Sequence, residues 1–522
     1  MFHILAADGI ANEGIDLLKK NFDVEVRDKI SHDELLEIIP QFDALIVRSA
    51  SKVTSDVLER AARLKIIGRA GVGVDNIDVE SATERGIIVI NSPDGNTVAA
   101  TEHTFAMMLA VSRNIPQANA SMHGGAWDRK KFVGVELRNK VLGIIGLGKI
   151  GAGVAKRAQS FDMSVVAYDP FVSEERAKNL GVKLVDLDAL FRTADFITVH
   201  MPLTNKTRNM IALEQMKLMK PTVRLINCAR GGIINEHDLA TALTEKLVAG
   251  AAIDVFENEP LAEDSPLRSV PNIILTPHLG ASTVEAQIGV SVDVARGIID
   301  ALNNRPVATA VNLPHIPAHI LEKIAPYLDL AERLGRTIIG MSKEPISSVQ
   351  VNVKGKIADM NPSLISTAVL KGILSAALDG VNLVNANILA AERGIHLSEI
   401  KSTVARDFAN LVTVSANGNI VTGTLFGNEG RIVEINGFRV DVDPHARILI
   451  CPHINRPGVI GMVGTLLAKH AINISGMNVG KTAIEGTSLM VLTVDNPMPQ
   501  HVLDEMKTLD PIFDVTPVAY DV

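Results

Sequence analysis

Short apolar runs alternate with amphipathic helical patterns along the first 282 residues of the chain. Up to about residue 94, the strands predicted from these runs are Phe2–Ala7, Asp23–Val26, Ala44–Val47, Lys65–Gly68 and Ile87–Ile90. From about residue 140, a second set is predicted at Val141–Ile145, Ser164–Tyr168, Phe196–Val199, Val223–Asn227, Ala251–Asp254 and Ile273–Leu275. Because strands that alternate with helices form parallel sheets covered on both faces, we predict an α/β protein with two doubly wound parallel sheets.

Two long apolar helices flank the second set of strands. The first is predicted at Val98–Ser112 and carries the chain from one sheet to the other. The second is predicted at Val284–Leu302, and it can cross back to complete the domain of the first sheet. We therefore predict one domain from residues 1–94, completed by 283–310, and a second domain from residues 95–282.

The pattern changes beyond the second of these helices, where Pro306, Pro314 and Pro317 mark a boundary. From residue 315 to 445, helical stretches mix with apolar strand-like runs, which predicts an α+β domain. The clearest elements there are a helix at Ile320–Ile339 and strands at Ser348–Val353 and Arg431–Val440.

Residues 446–522 follow the order strand, helix, strand, strand, helix, strand, which is that of the ferredoxin-like fold. This segment is small and poor in reactive side chains, so we expect a ligand-binding or pairing module. The predicted elements are Arg447–Cys451, Val459–His470, Ile472–Met477, Ser488–Val494, Pro499–Lys507 and Ile512–Pro517.

Composition narrows the class of protein. The 51 basic and 59 acidic side chains include no basic run that would suit nucleic acid, which argues against such a partner. Any anionic substrate must then be held by individually placed arginines. Cys228 and Cys451 fit neither a disulfide framework nor a metal-ligand spacing, so we expect a reducing compartment and no metal. Since no leader pattern and no apolar run of bilayer length is present, we expect a cytoplasmic protein without a membrane partner.

A glycine-rich turn follows the predicted strand Val141–Ile145. Gly146 permits a tight turn, Gly148 lets the backbone approach a pyrophosphate, and Gly151 lets the next helix pack closely on the strand. The next predicted strand ends at Asp169, at the distance where an acid binds ribose hydroxyls and repels a 2′-phosphate. We therefore predict an NAD site, against the alternative of an ordinary strand-to-helix turn.

Two strand ends of the first sheet carry groups that suit an anion. Backbone amides around Gly71 can grip an anion, and Arg48 or Arg69 can add a charge-assisted contact. The alternative is that these arginines are solvated or paired with nearby acids such as Asp75.

Strand ends of the second sheet carry an acid, a histidine and an arginine, the set that alcohol oxidation requires. His278 is the candidate base for the hydroxyl proton, and Glu259 can orient its ring. Arg230 can pair bidentately with a substrate carboxylate. Taken singly, each residue also fits a structural role, as a turn histidine, a surface acid and a surface ion pair.

At these residues the chain resembles a known family. The segments 146–151, 227–232, 254–260 and 277–283, in this order, are similar to motifs of the D-isomer-specific 2-hydroxyacid dehydrogenases. Within that family, the segments 48–50, 69–76 and 127–132 resemble the long-form D-3-phosphoglycerate dehydrogenases. The resemblance covers the whole chain, and it implies Rossmann and flavodoxin-like domains, an intervening domain at 315–445 and a C-terminal ACT domain at 446–522.

The resemblance assigns roles to individual residues. It implies that Arg230, Glu259 and His278 form the catalytic triad and that Arg48, Arg69 and Gly71 bind substrate, with Arg129 able to reach the site of a neighbouring subunit. It places the cofactor-binding positions at Gly146, Gly148, Lys149, Ile150, Gly151, Asp169, Pro202, Thr204, Cys228, Asp254 and Gly280. It places effector-binding positions at His453, Asn455 and Asn473.

The reaction implied by the resemblance is NAD-dependent oxidation of D-3-phosphoglycerate to 3-phosphohydroxypyruvate, the entry to L-serine biosynthesis. It also implies a homo-oligomer, a dimer or a tetramer, and L-serine as a possible effector of a paired ACT interface. Two alternatives remain open at this point. One is another D-2-hydroxyacid dehydrogenase, acting on glyoxylate or hydroxypyruvate, and the other is a non-catalytic NAD-sensing partner protein on the same fold.

Overall fold

The computed structural model describes residues 1–520 except 304, 306, 315, 406 and 482–485, so Pro306 lies outside the described residues. The first part of the chain forms a parallel sheet of five strands in the order β2-β1-β3-β4-β5. This is the flavodoxin-like order. Its strands are β1 His3–Ala7, β2 Asp23–Arg27, β3 Ala44–Val47, β4 Ile66–Arg69 and β5 Ile88–Asn91, and its helices are α1 Asn12–Lys19, α2 His32–Ile38, α3 Ser55–Arg60 and α4 Val79–Glu84.

The second sheet has seven parallel strands in the order β12-β11-β10-β9-β6-β7-β8, the Rossmann order with the switch point between β6 and β9. The two-residue strand at Lys183–Leu184 was not predicted, because so short a run has no clear alternation. The strands are β6 Val141–Ile145, β7 Ser164–Tyr168, β8 Lys183–Leu184, β9 Phe196–Val199, β10 Arg224–Asn227, β11 Gly250–Ile253 and β12 Ile273–Leu275. The helices are α5 Thr97–Arg113, α6 Ile115–His123, α7 Lys149–Ser160, α8 Glu174–Asn179, α9 Leu187–Thr193, α10 Leu213–Leu218 and α11 Glu236–Thr244.

Helix α12, Val284–Leu302, returns from the second sheet and packs on the first. Val294 and Ile298 lie fully buried in one apolar cluster with Ile4 and Ile66 of the first sheet. Helices α1 and α12 approach closely at Gly14, where a Cβ atom would lie 2.7 Å from the Ser291 carbonyl oxygen. The first sheet therefore draws one of its covering helices from residues almost 300 positions away from β1.

The third unit contains a mixed sheet of six strands in the order β14-β13-β15-β16-β17-β18, in which only β13 and β14 pair in parallel. The prediction of one strand at Arg431–Val440 was wrong, because Asn436 and Gly437 take φ values of 47° and 82° and turn the chain into a hairpin. The strands are β13 Ser348–Gly355, β14 His396–Ser402, β15 Asn410–Ala416, β16 Asn419–Phe426, β17 Glu429–Ile435 and β18 Phe438–Val442, and the helices are α13 Ala318–Met341, α14 Pro362–Leu374 and α15 Ala386–Glu392.

The last unit is an antiparallel sheet in the order β20-β21-β19-β22, which with its two helices confirms the ferredoxin-like prediction. The final strand is shorter than predicted, and Ile512 forms only an isolated bridge with His453. The elements are β19 Arg447–Ile454, α16 Val459–Lys469, β20 Ile474–Lys481, β21 Thr487–Val494, α17 Gln500–Lys507 and β22 Thr516–Val518.

The third and fourth units share one apolar core. Ile448 and Val518 of the last sheet are buried in the same cluster as Leu334 of α13. The buried hydroxyl of Tyr520 lies 2.8 Å from the Thr337 hydroxyl of the same helix. The predicted fold class, two doubly wound sheets followed by an α+β unit and a ferredoxin-like unit, is thus confirmed.

Among the helices of the described residues, none combines the length and the apolar character needed to cross a bilayer.

Candidate active site

The glycine-rich turn lies between β6 and α7 at the switch point of the second sheet. Gly146 has φ 97°, and a Cβ atom there would lie 2.5 Å from the His200 carbonyl oxygen. A Cβ atom at Gly151 would overlap the Gly146 carbonyl oxygen, whereas one at Gly148 would meet nothing within 4 Å. Two glycines therefore allow the turn and the close helix, and the third borders the open space that a pyrophosphate at this helix N-terminus needs.

Asp169 follows β7 and is fixed beside the turn. Its Oδ2 accepts a hydrogen bond from the Leu147 amide at 2.8 Å, and its Oδ1 accepts one from the Phe171 amide at 2.9 Å. The carboxylate therefore lies next to the residue between the first two glycines, where the ribose of a dinucleotide would come. Lys149, the first residue of α7, forms an ion pair with Asp94 near the start of α5.

The segment after β9 is held by its own hydroxyl groups. The Thr207 hydroxyl donates to the Pro202 carbonyl oxygen at 2.7 Å and accepts a hydrogen bond from the Thr204 amide at 2.7 Å. The segment therefore forms a fixed turn at the carboxyl edge of the second sheet, on the strand next to β6.

Asp254, directly after β11, is fully buried and organises the loop that follows β12. Its Oδ1 accepts hydrogen bonds from the Thr276 hydroxyl at 2.6 Å and the Leu279 amide at 2.8 Å, and its Oδ2 accepts one from the Gly280 amide at 2.9 Å. Burial alone would raise the pKa of this carboxyl group, but the close contact with His103 and hydrogen bonds from Thr276 and Leu279 outweigh burial and lower its pKa. The loop is therefore built around a buried negative charge.

His103 of α5 was not predicted as a site residue. Its Nε2 lies 3.1 Å from Asp254 Oδ1, and His103, Cys228 and Asp254 each place one potential metal-ligand atom within 4.8 Å of the others. Burial and the charge of Asp254 raise the pKa of the Cys228 thiol above its ordinary value. A histidine inside the apolar helix predicted at Val98–Ser112 was the only available signal, and the expectation of no metal stays a prediction.

His278 and Glu259 form the pair that the sequence predicted. His278 has φ 55°, and its amide donates to the Asp254 carbonyl oxygen at 2.8 Å, which fixes the backbone of the loop. The Nδ1 atom of the ring lies 2.8 Å from Glu259 Oε2, and Glu259 Oε1 accepts from the Phe256 amide at 3.1 Å. Nδ1 is thus occupied by the carboxylate, and Nε2 is the ring nitrogen left for a substrate proton.

The pKa of Glu259 is lowered by its hydrogen-bond donors. Burial alone would raise it, but the hydrogen bonds from the His278 ring and the Phe256 amide outweigh burial. Glu259 is therefore a carboxylate at neutral pH and can hold the imidazole in one orientation and stabilise its protonated form.

Arg230 reaches across from the second sheet to the first. Its Nε donates to Asp75 Oδ2 at 3.1 Å, and its Nη1 donates to the Ala229 carbonyl oxygen at 2.7 Å. The acid that the sequence offered as a partner for Arg48 or Arg69 is thus paired with Arg230 instead.

In the loop after β4, two glycines leave room for the guanidinium groups of Arg69 and Arg230. A Cβ atom at Gly71 would overlap Arg69 Nη1, and one at Gly73 would overlap Arg230 Nη2. Arg69 Nε is buried without a hydrogen-bond partner among the described residues. Burial first, and then the positive charges of Arg230 and Arg48, lower the pKa of Arg69 to about 10. This cluster of like charges suits an anionic ligand.

Arg129 lies apart from this cluster. It is exposed at the start of the short 3-10 helix Arg129–Phe132, next to Trp127, whose side chain is 73% exposed. Within the described residues, no hydrogen bond or ion pair joins it to the cleft. Its predicted contact with a neighbouring subunit stays a prediction.

The candidate effector residues fall into two groups within one chain. His453 is buried, its Nδ1 lies 2.9 Å from the Ile454 carbonyl oxygen, and its Nε2 has no partner among the described residues. Asn455 follows β19 at the same end of the sheet. Asn473 lies at the other end and donates to Asp495 Oδ2 at 2.6 Å. Because Ser488 pairs with His453 and Val494 pairs with Ile474, six residues of β21 separate the two groups by about 20 Å.

Comparison with known proteins assigns these units to families. Residues 105–280 match the NAD-binding domain of the D-isomer specific 2-hydroxyacid dehydrogenases, residues 323–436 the D-3-phosphoglycerate dehydrogenase intervening domain, and residues 449–514 an AHAS small subunit-like ACT domain. Part of the chain is similar to a solved structure of a protein from Thermus thermophilus. The TM-score is 0.56 and the identity 31%, over 59% of this chain and 99% of that one.

Two relatives are similar over nearly the whole length. The chain is 47% identical to a D-3-phosphoglycerate dehydrogenase of Synechocystis sp., over 97% of this chain and 92% of that protein. It is 46% identical to a D-3-phosphoglycerate dehydrogenase of Archaeoglobus fulgidus, over 98% of this chain and 99% of that protein. The chain is therefore an NAD-dependent oxidoreductase that belongs to the D-3-phosphoglycerate dehydrogenase family.

Proposed function

We propose that this protein oxidises D-3-phosphoglycerate to 3-phosphohydroxypyruvate with NAD, the first step of L-serine biosynthesis. The observation that carries the proposal is the His278–Glu259 pair at 2.8 Å, at the same edge of the second sheet as the open glycine turn. The names of the similar proteins from Synechocystis sp. and Archaeoglobus fulgidus support the same substrate.

The residues present fit a bound dinucleotide. Open space beside Gly148 would receive the pyrophosphate, and the fixed carboxylate of Asp169 would bind the ribose. The loop that buried Asp254 organises would border the nicotinamide end. When bound, NAD accepts the hydride that leaves C2 of the substrate. We assign Gly146, Lys149, Ile150, Gly151, Pro202, Thr204, Cys228 and Gly280 to the lining of the same site.

In the proposed mechanism, His278 Nε2 takes the proton of the C2 hydroxyl group while a hydride departs from C2. The two electrons leave with the hydride, and only the hydroxyl proton reaches the imidazole ring. Glu259 holds the ring through Nδ1 and stabilises its positive charge once the proton has arrived. Arg230 pairs with the substrate carboxylate and polarises the reacting oxygen. After reduced cofactor and product leave, the imidazolium releases its proton to solvent.

We propose that the loop after β4 holds the substrate phosphate end. The substrate carries a carboxylate and a phosphate. The loop places Arg69 over Gly71 and Arg230 over Gly73, and the charge of Arg48 acts on Arg69. Unpartnered Arg69 Nε gives the site a buried donor that an anion would satisfy. Residues 1–94 with 283–310 thus act as the substrate-binding domain, and residues 95–282 as the cofactor-binding domain.

Turnover of purified protein tests the proposal. NADH formation is measured at 340 nm with NAD and D-3-phosphoglycerate, and the control substrate is D-glycerate, which lacks the phosphate. We expect a strong preference for the phosphorylated acid and a loss of kcat of about 1,000-fold or more in His278→Ala. Equal activity on both acids would point to a general hydroxyacid dehydrogenase, and no activity on either would point to a non-catalytic NAD-sensing protein.

We further propose that the chain is a homo-oligomer and that L-serine regulates it. His453 and Asn455 lie about 20 Å from Asn473 in one chain, so a single effector molecule contacts all three only between two ACT domains. Helix α6 buries none of its residues, and Ile115 and Met122 are 53% and 52% exposed, which suits a covered face in a dimer or tetramer. Light scattering gives the assembly, and an unchanged rate in millimolar L-serine would refute the regulation.

A cytoplasmic location is also proposed. Its support is chemical, since Cys228 and Cys451 are both free thiols and a reducing compartment keeps them so. Cell fractionation with an antibody to the native chain tests it, and recovery outside the cytoplasmic fraction would contradict it.

A further inference from the structure

The ion pair between Asp75 and Arg230 joins the two halves of the cleft. Asp75 lies in the loop after β4 of the first sheet. Arg230 follows β10 of the second sheet, 155 positions later. This contact therefore links the two α/β units at the position of a proposed catalytic side chain.

The contact uses one specific edge of the guanidinium group. Arg230 Nε donates to Asp75 Oδ2 at 3.1 Å, and Nη1 donates to the Ala229 carbonyl oxygen at 2.7 Å. The group is planar, so two anchors at Nε and Nη1 fix the direction in which Nη2 points. Nη2 lies over Gly73, at the place where a Cβ atom would be. Nη2 and the second hydrogen of Nη1 thus remain for a bidentate contact with an anion.

The surroundings of Arg230 make such an anchor necessary. Arg69 and Arg48 bring two further positive charges close to Arg230, and after burial the charges of Arg230 and Arg48 lower the pKa of Arg69. Without a counter-charge on its Nε side, Arg230 would turn away from these groups into solvent. The Asp75 side chain is 72% exposed, so it contributes to this place mainly charge and hydrogen-bond direction and adds no core packing.

We propose that Asp75 is a positioning residue for substrate recognition, which holds Arg230 across the cleft so that Nη2 meets the substrate carboxylate. The proposal rests on the assignment of Arg230 to the substrate carboxylate in the proposed function. It differs from two simpler roles for Asp75. An acid that only stabilises the fold would change stability without changing turnover, and an acid that only repels anions would make substrate bind more tightly once removed.

The test compares Asp75→Asn with Asp78→Asn, a control three residues further on. Asp78 accepts from the Ser81 amide at 3.0 Å as the N-cap of α4, and asparagine caps a helix about as well as aspartate. Asp78→Asn therefore removes one nearby negative charge, and we expect it to leave both the melting temperature and kcat near the wild-type values. For Asp75→Asn we expect kcat/KM for D-3-phosphoglycerate to fall by about 10-fold or more, with KM for NAD and the melting temperature unchanged. Asp75→Glu is expected to recover part of the activity.

Two further measurements separate the outcomes. In an Arg230→Lys background, which lacks the Nε anchor, Asp75→Asn is expected to cause no further loss, since the acid acts through the arginine. Calorimetric titration of D-3-phosphoglycerate into the NADH complex reports binding without turnover, and we expect weaker binding to Asp75→Asn even if the proposed reaction itself is wrong. Wild-type kcat/KM in Asp75→Asn, tighter substrate binding, or an equal loss in the Arg230→Lys background would overturn the proposal.

Discussion

Replacing Asp254 with asparagine keeps the size of the side chain and removes its charge. Oδ1 accepts from the Thr276 hydroxyl and the Leu279 amide, and Oδ2 accepts from the Gly280 amide. An asparagine has one acceptor oxygen, so its amide nitrogen must face at least one of these donors. Because the site is fully buried, no water replaces the lost acceptor.

The expected loss follows from these bonds. Losing one charge-assisted hydrogen bond costs about 2 kcal/mol, and making the other two neutral costs about 0.5 kcal/mol each, so the unfolding free energy of this domain falls by about 3 kcal/mol. The pKa of Asp254 is lowered in the folded protein, so this stabilisation is present above the pKa of the unfolded chain and is lost as pH falls through the folded pKa. The full difference between the two proteins therefore appears at neutral pH.

Activity should fall as well, since the loop carries His278. A displacement of about 1 Å at a catalytic group lowers kcat by about 100-fold. The matched control is Asp195→Asn in the same domain. Asp195 accepts from the Val141 amide at 2.8 Å and from Lys220 at 2.9 Å, but at the opposite edge of the sheet. Thermal unfolding and NADH formation are measured for both. Asp254→Asn with wild-type kcat, or Asp195→Asn with an equal loss of kcat, would refute the reasoning.

Three other predictions concern separate parts of the molecule. Gly151→Ala is expected to lower the free energy of unfolding by about 1–3 kcal/mol, because the added methyl group overpacks the turn. Gly148→Ala is expected to keep the melting temperature of the wild type and to weaken NADH binding. Equal melting temperatures of the two variants would contradict this prediction. Burial raises the pKa of the Cys228 thiol and raises that of Cys451 to about 12. A thiol reagent at pH 8 should therefore modify neither cysteine until the protein is denatured. Rapid labelling of the native protein would refute this prediction. Tyr520→Phe, which removes a buried hydrogen bond, should lower stability by about 1 kcal/mol in denaturant titrations, and no change would argue against that bond.

The glycine turn could be predicted because the spacing of its three glycines is a local sequence signal. Strand, turn and helix follow one another within twenty residues. Gly151 packs against Gly146 of the same turn, although the contact that restricts Gly146 comes from His200. The His278–Glu259 pair could be predicted for a related reason. Only 19 positions separate the two residues, and they follow adjacent strands of one parallel sheet.

The partner of Asp75 could not be predicted in this way. Arg48 and Arg69 are nearer in sequence, and nothing local distinguishes them from Arg230, which is 155 positions away. The role of His103 was hidden likewise, because its partner Asp254 lies on the far side of the domain in sequence. Ion pairs across a cleft depend on how two sheets dock, and that information is spread over both cores.

The error at Arg431–Val440 has a different origin. The turn signal Asn436-Gly437 is present, but apolar alternation continues on both sides of it, and the continuous run dominated the prediction. A short-range signal was therefore available and was outweighed by a longer one.

The common core of the intervening and ACT units limits how this gene can be shortened. Deleting residues 446–522 would strip Ile448, Val518 and Tyr520 from the cluster that buries Leu334, and would leave an exposed apolar face on the remaining chain. Such a deletion is therefore expected to yield an aggregating polypeptide. The proposed serine regulation is better tested by point substitutions on the ACT surface, or by removing both units together.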